Sequence, residues 1–452
     1  MKKLLLSFSI LLLSAMAISS CSDGDRIDQR GGLPLPQQPK IVDVKSVPGG
    51  AVLKFQIPDD PYLKGIVATY ERNGAMVESR ISRYLDTLMV EGYADLQEHA
   101  VEVRSFNADD VKSEAQTVKI TPLEAPISTA KYEFFEAFGG FKVKIKNNPT
   151  KAQLALVVQA DTLNADQDLT YEQRKWKDVS TLFMSNDSVV LTRRGMSAVP
   201  TVLAVHLRDN FGNVSPTQLV KITPKAEAQL DKSKFKHYPV GKYPVDLAKL
   251  QPGADNFVLD GNGGNVSALW DNVTTGTGRF FLAAKGCPIP TWLTIDLGVG
   301  EEGTVLSRIK TYPRSDYLPF QAGNIRQWEF WGIYEDPRKD LTENPASPSD
   351  PDYKERHGFS KGWVLLSKGE QYKPSGYAPD GTVDGWTSED REYYLYNTEY
   401  EVDNSNPLTP HAYNKIRYLR IVVINTFATW QYPATTGSWF IGEITPWGQV
   451  NK

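Results

Sequence analysis

The chain has 452 residues, with 50 basic and 54 acidic side chains and a formal charge of −4. That length suggests about three domains of roughly 150 residues each. No basic block breaks the charge balance, which argues against a nucleic-acid partner. Beyond residue 20 no apolar stretch approaches the ~20 residues of a membrane-spanning helix.

At the start, Lys2 and Lys3 precede an apolar run over residues 4–17 that only serines interrupt, and Ile18-Ser-Ser-Cys21 follows. Small residues before a cut are what a signal peptidase requires. A cysteine directly after them resembles the bacterial lipobox. The resemblance implies a signal peptide over residues 1–20 and lipidation of Cys21; the plainer reading is an ordinary secretory cut beside a chance cysteine. Several acyl chains anchor a protein stably where one does not. Ser22-Asp-Gly-Asp25 resembles the acidic surface-export signal of Bacteroidetes lipoproteins, which implies an outer-membrane protein facing the exterior. Cys287 is then the one thiol left, so no intrachain disulfide forms and stability must come from burial. Residues 21–38 read as a lipidated tether, made semi-rigid by RGGLPLPQQPK.

Residues 39–122 and 123–226 read as two all-β modules. Ala51-Val-Leu-Lys-Phe-Gln-Ile and Val101-Glu-Val-Arg-Ser-Phe alternate as half-buried strands do, with turn residues between such runs. The two modules are an internal repeat. Gly49-Gly-Ala-Val-Leu-Lys-Phe matches Gly139-Gly-Phe-Lys-Val-Lys-Ile, 90 positions on. Val101-Glu-Val-Arg-Ser-Phe-Asn matches Leu203-Ala-Val-His-Leu-Arg-Asp, and Val118-Lys-Ile-Thr-Pro recurs at Val220, 102 positions on. The second copy is therefore twelve residues longer, with the surplus near residues 163–177. These copies resemble paired fibronectin type III modules of Bacteroidetes lipoproteins, with Arg208-Asp-Asn-Phe-Gly-Asn-Val-Ser215 as a last hairpin. His99 and Thr201 stand where that family often has a corner tyrosine. Both modules read as a stalk.

Residues 227–452 differ in composition. Nine of the ten tryptophans and fifteen of the 21 tyrosines lie beyond residue 236. Core packing accounts for most of them, including Trp292, Trp328, Trp331 and Trp363 in or beside alternating runs. The motifs Ala268-Leu-Trp-Asp-Asn272, Trp292-Leu-Thr-Ile-Asp-Leu-Gly298, Lys310-Thr-Tyr-Pro-Arg314, Asn324-Ile-Arg-Gln-Trp-Glu-Phe-Trp-Gly332, Gly362-Trp363, Tyr418-Leu-Arg-Ile-Val-Val and Ile441-Gly-Glu-Ile-Thr-Pro-Trp-Gly448 follow in order. As a set they resemble the discoidin, or coagulation factor type C, domain, a galactose-binding-like jelly-roll sandwich. Asn272 departs from that family's glycine. Two polar insertions, residues 336–359 and 367–390, read as surface loops or partly ordered excursions that either shape a binding face or cover one. The fold class expected for the whole chain is all-β: two tandem fibronectin III-like sandwiches, then a discoidin-like sandwich.

The discoidin resemblance implies a glycan-binding site at the loop end of the sandwich, with no catalysis. Sugars are held by aromatic planes and a few placed polar groups. Tyr317 and Phe320, or Trp430 and Tyr432, are candidate platforms in loop-like stretches, and Arg314 is a candidate donor to ring hydroxyls. Each aromatic has the alternative of packing beneath a loop, and Arg314 that of bonding a carboxylate. The family also implies a structural calcium beside the loops. Oxygen ligands for it are Asp271 and Glu443, with a hydroxyl from Thr275 or Thr277; the alternatives are a turn cap at Asp271 and an arginine partner for Glu443. No hydrolase, zincin or phosphate-loop motif is present. The expected partner is a polysaccharide or host glycan delivered to an outer-membrane importer. A protein-binding scaffold or adhesin, and an unrecognised glycoside hydrolase with paired carboxylates, are the alternatives.

Overall fold

The computed structural model describes residues 32–449, apart from residues 164, 166–167, 263–264, 275–279, 315–318, 344, 378–384, 397 and 410–412. Cys21 and the residues before it, Thr275, Thr277 and Tyr317 lie outside the described residues. The chain is all-β, built from antiparallel sheets.

The first module contains β1 (Lys40–Val47), β2 (Gly50–Gln56), β3 (Gly65–Arg72), β4 (Ala75–Ser82), β5 (Thr87–Glu91), β6 (His99–Phe106) and β7 (Gln116–Ile120). Sheets ordered β1-β2-β5 and β4-β3-β6-β7 face each other, the three-plus-four arrangement of a fibronectin type III-like sandwich. Inward residues such as Leu53, Ile66, Val90 and Val103 form its core. The second module repeats the plan with β8 (Lys131–Ala137), β9 (Gly140–Lys146), β10 (Leu154–Asp161), β11 (Trp176–Met184), β12 (Val189–Arg193), β13 (Thr201–Asp209) and β14 (Gln218–Ile222), in sheets β12-β9-β8 and β11-β10-β13-β14.

The repeated motifs have physical reasons. Gly49 and Gly139 adopt φ of 71° and 62°, a region that disfavours side chains. A Cβ on Gly50 or Gly140 would lie 1.9 Å from a backbone oxygen of the neighbouring strand. After Lys-Ile-Thr-Pro the chain returns to that same turn. Leu123 N–H donates to Val47 O, and Leu123 O accepts from Gly49 N–H; Lys225 does the same with Ala137 and Gly139. The twelve-residue surplus is the β10–β11 connection. Its counterpart, between β3 and β4, is a two-residue turn, Asn73-Gly74, with both φ angles positive.

The tether is less independent than its composition suggests. Gln37 N–H donates to Asp60, Leu33 N–H to Asp109, and Asn107 Nδ2 to Pro34 O, so residues 33–37 lie against the first module.

In the C-terminal unit the strands are β15 (Glu227–Gln229), β16 (Lys236–His237), β17 (Phe281–Leu282), β18 (Cys287–Pro288), β19 (Thr291–Asp296), β20 (Leu306–Tyr312), β21 (Ile325–Ile333), β22 (Val364–Glu370), β23 (Glu399–Glu401), β24 (Tyr418–Thr426), β25 (Thr436–Gly437), β26 (Phe440–Ile441) and β27 (Glu443–Gln449). A five-stranded sheet, β16-β19-β24-β21-β22, packs on a four-stranded one, β15-β27-β20-β23. Leu293, Trp328, Phe330, Ile421, Trp439 and Ile444 belong to the core between them.

The insertion over residues 336–359 is no loose surface loop. It covers the outer face of the five-stranded sheet and makes a second core. Phe359, fully buried, sits among Trp292, Trp331, Trp363 and Tyr418. Beneath it Arg420 is also fully buried, its guanidinium 4.4 Å from the Phe359 ring centroid and 4.2 Å from that of Trp363. Arg420 Nε donates to Thr294 Oγ1 at 3.0 Å, and Nη2 lies 3.4 Å from Asp255 Oδ1. Burial pushes the Asp255 carboxyl up, against the pull of that guanidinium.

The three units meet through polar joints. Asn213 Nδ2 donates to Gly92 O and Asn73 Nδ2 to Phe211 O, joining the first module to the second. At the next joint Arg194 bonds Glu227 at 2.9 Å and Glu401 at 2.7 Å, Lys142 pairs with Glu401 at 2.9 Å, and Tyr413 Oη donates to Glu136 O.

Candidate functional site

The loop end of the C-terminal sandwich is organised around the turn before β21 and the short helix Phe427–Gln431 after β24. Thr426 caps that helix, its hydroxyl accepting from Thr429 N–H. The turn is tied to it: Ala428 N–H donates to Ala322 O, Phe427 N–H to Asn324 O, and Phe440 N–H to Gly323 O. Phe320 and Ala322 hold left-handed φ of 57° and 51°. Non-glycine residues persist in that region where surrounding contacts over-determine them, a feature that clusters at binding sites.

Phe320 is fully buried, 5.3 Å from Tyr394 and 5.6 Å from Phe427 between ring centroids. The expectation that it stacks on a sugar is corrected: the left-handed turn aims the ring inward, and it serves as the anchor of the loop end. Trp430 is half-buried and Tyr432 is 72% exposed. The Trp430 ring lies 4.9 Å from Tyr377 and carries the Arg326 guanidinium at 4.2 Å. Arg314 stacks on Phe280 at 3.7 Å and flanks Phe440, so the arginine over Trp430 is Arg326, which the sequence reading did not single out.

Other aromatics come from the second insertion. Tyr372, 55% exposed, lies 4.9 Å from Tyr393, which packs on the Phe320 cluster with Tyr377 and Trp430. Lys373 N–H donates to Tyr377 Oη. Burial, helped by the Tyr372 hydroxyl, pushes the Tyr393 phenol up to about 12, so it stays neutral. Tyr372, Tyr393, Tyr377 and Trp430 thus form one aromatic strip. Beside it runs a polar ladder across three strands. Arg326 Nη2 donates to Glu370 Oε1 at 2.6 Å, Gln327 Nε2 to Glu370 Oε2 at 2.8 Å, and Asn425 Nδ2 to Gln327 Oε1 at 2.7 Å.

One buried carboxylate ties together the described parts of the second insertion. Asp390, in the helix Ser388–Tyr396, accepts from Ser375 N–H, Ser375 Oγ and Thr387 N–H. Burial acts to raise its pKa, but those donors prevail and bring it down to about 2. Of the two readings of residues 367–390, the described part fits the ordered excursion and not the plain surface loop. The sequence signal was a tyrosine-rich stretch, Tyr372, Tyr377, Tyr393, Tyr394 and Tyr396, masked by the charged residues among them.

The expected calcium ligands diverge. Asp271 Oδ1 accepts from Val273 N–H, and Asn272 follows at φ 67°, a capped turn. Glu443 is fully buried; burial pushes its carboxyl up to about 7 against the pull of Lys232, with a smaller push from the nearby Asp271 charge. Its Oε1, however, accepts from Lys232 Nζ at 2.5 Å, and that ammonium also donates to Thr445 Oγ1 at 3.1 Å. The side-chain partner of Oε1 is thus a lysine and not the arginine of the alternative reading. Calcium takes six to eight oxygens; an ammonium on one of two carboxylates makes this donor set a poor fit. Among the described residues no three His, Cys, Asp or Glu side chains gather as metal ligands.

The chain matches three sequence families, each described as a domain of unknown function: DUF4959 over residues 36–122, DUF5126 over 120–233 and DUF5000 over 270–448. No curated protein matches it. Among solved structures, the SusE-like protein BT2857 is 24% identical over 71% of this chain and 98% of that one, with a TM-score of 0.38. A two-module fibronectin type III segment of chicken tenascin is 14% identical over 41% of this chain and 99% of that one (TM-score 0.19). The FN1–FN3 segment of chicken CNTN1 is 10% identical over 42% of this chain and 65% of that one (TM-score 0.18).

Proposed function

We propose that the protein is a non-catalytic glycan-binding protein of the cell surface, and that the C-terminal sandwich holds the sugar along the Tyr372–Tyr393–Tyr377–Trp430 strip. The observation that carries this is the strip itself, with the Arg326–Glu370–Gln327 ladder alongside. Aromatic faces offer the apolar side of a pyranose a flat partner, and the ladder offers donors and acceptors to its hydroxyls. Tyr432, projecting from the adjoining loop, extends the surface. The discoidin resemblance supports the same end of the sandwich. The lipobox at Cys21 and the acidic residues after it support a lipid anchor on the outer face, with the two modules as stalk.

Each sugar contact exchanges water hydrogen bonds for protein ones and gains little net. A membrane-anchored population offsets this by presenting many sites on one surface. The test is a glycan array with residues 22–452, followed by calorimetry on the hits. Trp430→Ala and Tyr377→Ala should each weaken binding about tenfold or more, the equivalent of about 1.4 kcal/mol, and Glu370→Gln should change which sugars bind. A folded protein that binds no glycan, or binding that ignores all three substitutions, would refute the assignment of the strip.

A further inference from the structure

We propose that the ammonium of Lys232 is the resident cation of the loop-end carboxylates, and that it makes the C-terminal sandwich independent of divalent metal. This holds whatever the sandwich binds.

The geometry is built from two segments far apart in sequence. β15 leaves the second module and pairs along β27, Glu227 against Gln449 and Gln229 against Trp447. The chain then makes the short turn Lys232–Lys234, capped by Asp231, whose carboxylate accepts from Ser233 N–H. The turn aims Lys232 under the sheet toward the other end of β27, where Glu443 and Thr445 lie. The Lys232 side chain is 2% exposed and that of Glu443 0%. A lysine seldom gives up its hydration so completely unless a partner meets the charge. Here it has both a carboxylate and a hydroxyl.

The charges decide which cation this place accepts. Asp271 adds a second negative group near Glu443, so the surroundings favour positive charge. Lys232 supplies it, but an ammonium has three donors and no acceptor and gives a metal nothing to bind. A divalent ion bonded to Glu443 would stand beside that ammonium in a medium of low dielectric, where like charges repel strongly. One place thus has two mutually exclusive occupants, and the chain provides its own. Glu443 Oε2 has no hydrogen-bond partner among the described residues; with Lys232 shortened, Oε1 loses its cation as well, and the Glu443 carboxylate is open to a metal.

The experiment uses the chain from residue 22 onward, with melting temperature and terbium luminescence as readouts. Trp270, next to Asp271 in sequence, serves as the sensitiser. In the unaltered protein, millimolar calcium and excess chelator should give melting temperatures within about 1 °C of each other, since a ligand stabilises only what it binds. Terbium should give no saturable signal. Lys232→Ser should melt several degrees lower in chelator, recover in calcium, and acquire a terbium signal that calcium displaces. A calcium-dependent rise of several degrees in the unaltered protein, or a saturable terbium signal from it, overturns the proposal. So does a folded Lys232→Ser that ignores calcium, since the ammonium would then be a partner for one carboxylate and nothing more. If Lys232→Ser folds under neither condition, the unaltered protein decides the matter alone.

Discussion

At the scale of single residues, the C-terminal sandwich relies on charges placed where water is excluded. Arg420 is one. With both its guanidinium and Asp255 fully buried, removing one partner strands the other. Arg420→Met should destabilise the fold by about 3–5 kcal/mol, and Asp255→Asn added to it should restore part of that loss; urea unfolding of the single and double variants measures both. Asp390 is another. Its pKa falls from an ordinary 3.8 to about 2 in the folded chain, so the fold holds the ionised form more tightly than the unfolded chain does. Its contribution is complete above about pH 4 and fades as the pH falls toward 2. Asp390→Asn should therefore lower stability at neutral pH and flatten the acid-induced decline across that window, as followed by tryptophan fluorescence. Unpaired buried partners cost about 1–3 kcal/mol, which sets the expected loss.

At the scale of elements, each insertion adds side chains to a small aromatic core, Phe359 to one and Tyr377 to the other. Phe359 supplies the centre of the outer one, touching four aromatic rings and Arg420. Phe359→Ala should cost about 3–5 kcal/mol, seen as a lower urea midpoint. This layer was hard to read beforehand because its charged residues pair locally. Arg356 bonds Asp350 and Asp352, and Ser360 bonds Asp340, so part of the polarity there is spent on pairs within the layer and hides the buried Phe359. The strands of the two modules were legible because alternation is written directly into adjacent residues. The repeat located the extra length, and the structure assigns it to one hairpin connection. The aromatic strip was only half legible. Trp430 stood out in its loop, yet its neighbours come from residues 326, 370, 372, 377 and 393, and no local pattern links them. Phe320 shows the converse: beside Pro319 it looked like a loop aromatic, and only its left-handed backbone turns it inward.

At the scale of the whole molecule, the joints fix how the units stand on one another. The second joint concentrates charge on Arg194, which meets carboxylates from two segments. Without Arg194, Glu227 keeps Arg308 and Ser307 as partners and Glu401 keeps Lys142, so Arg194→Ala should leave the melting of the units nearly unchanged. It should instead loosen their relative orientation, seen by small-angle scattering as a broader distance distribution. An unchanged profile would show that β15, paired into the C-terminal sheet, holds the joint without Arg194.

The way each module ends has a consequence for how such a chain can change over generations. Lys-Ile-Thr-Pro returns to the glycine turn of the module it belongs to before the next unit begins, so each module finishes its own end face. In both modules the turn after the fifth strand, at Gly92 and at Arg194, then meets whatever follows. A duplicated or deleted module carries its end face with it, and only the few side chains at the new junction need to be refitted. The length of the chain's folded array is then quantised: it grows or shrinks by whole modules, and the last unit can be inherited unaltered while the number before it varies.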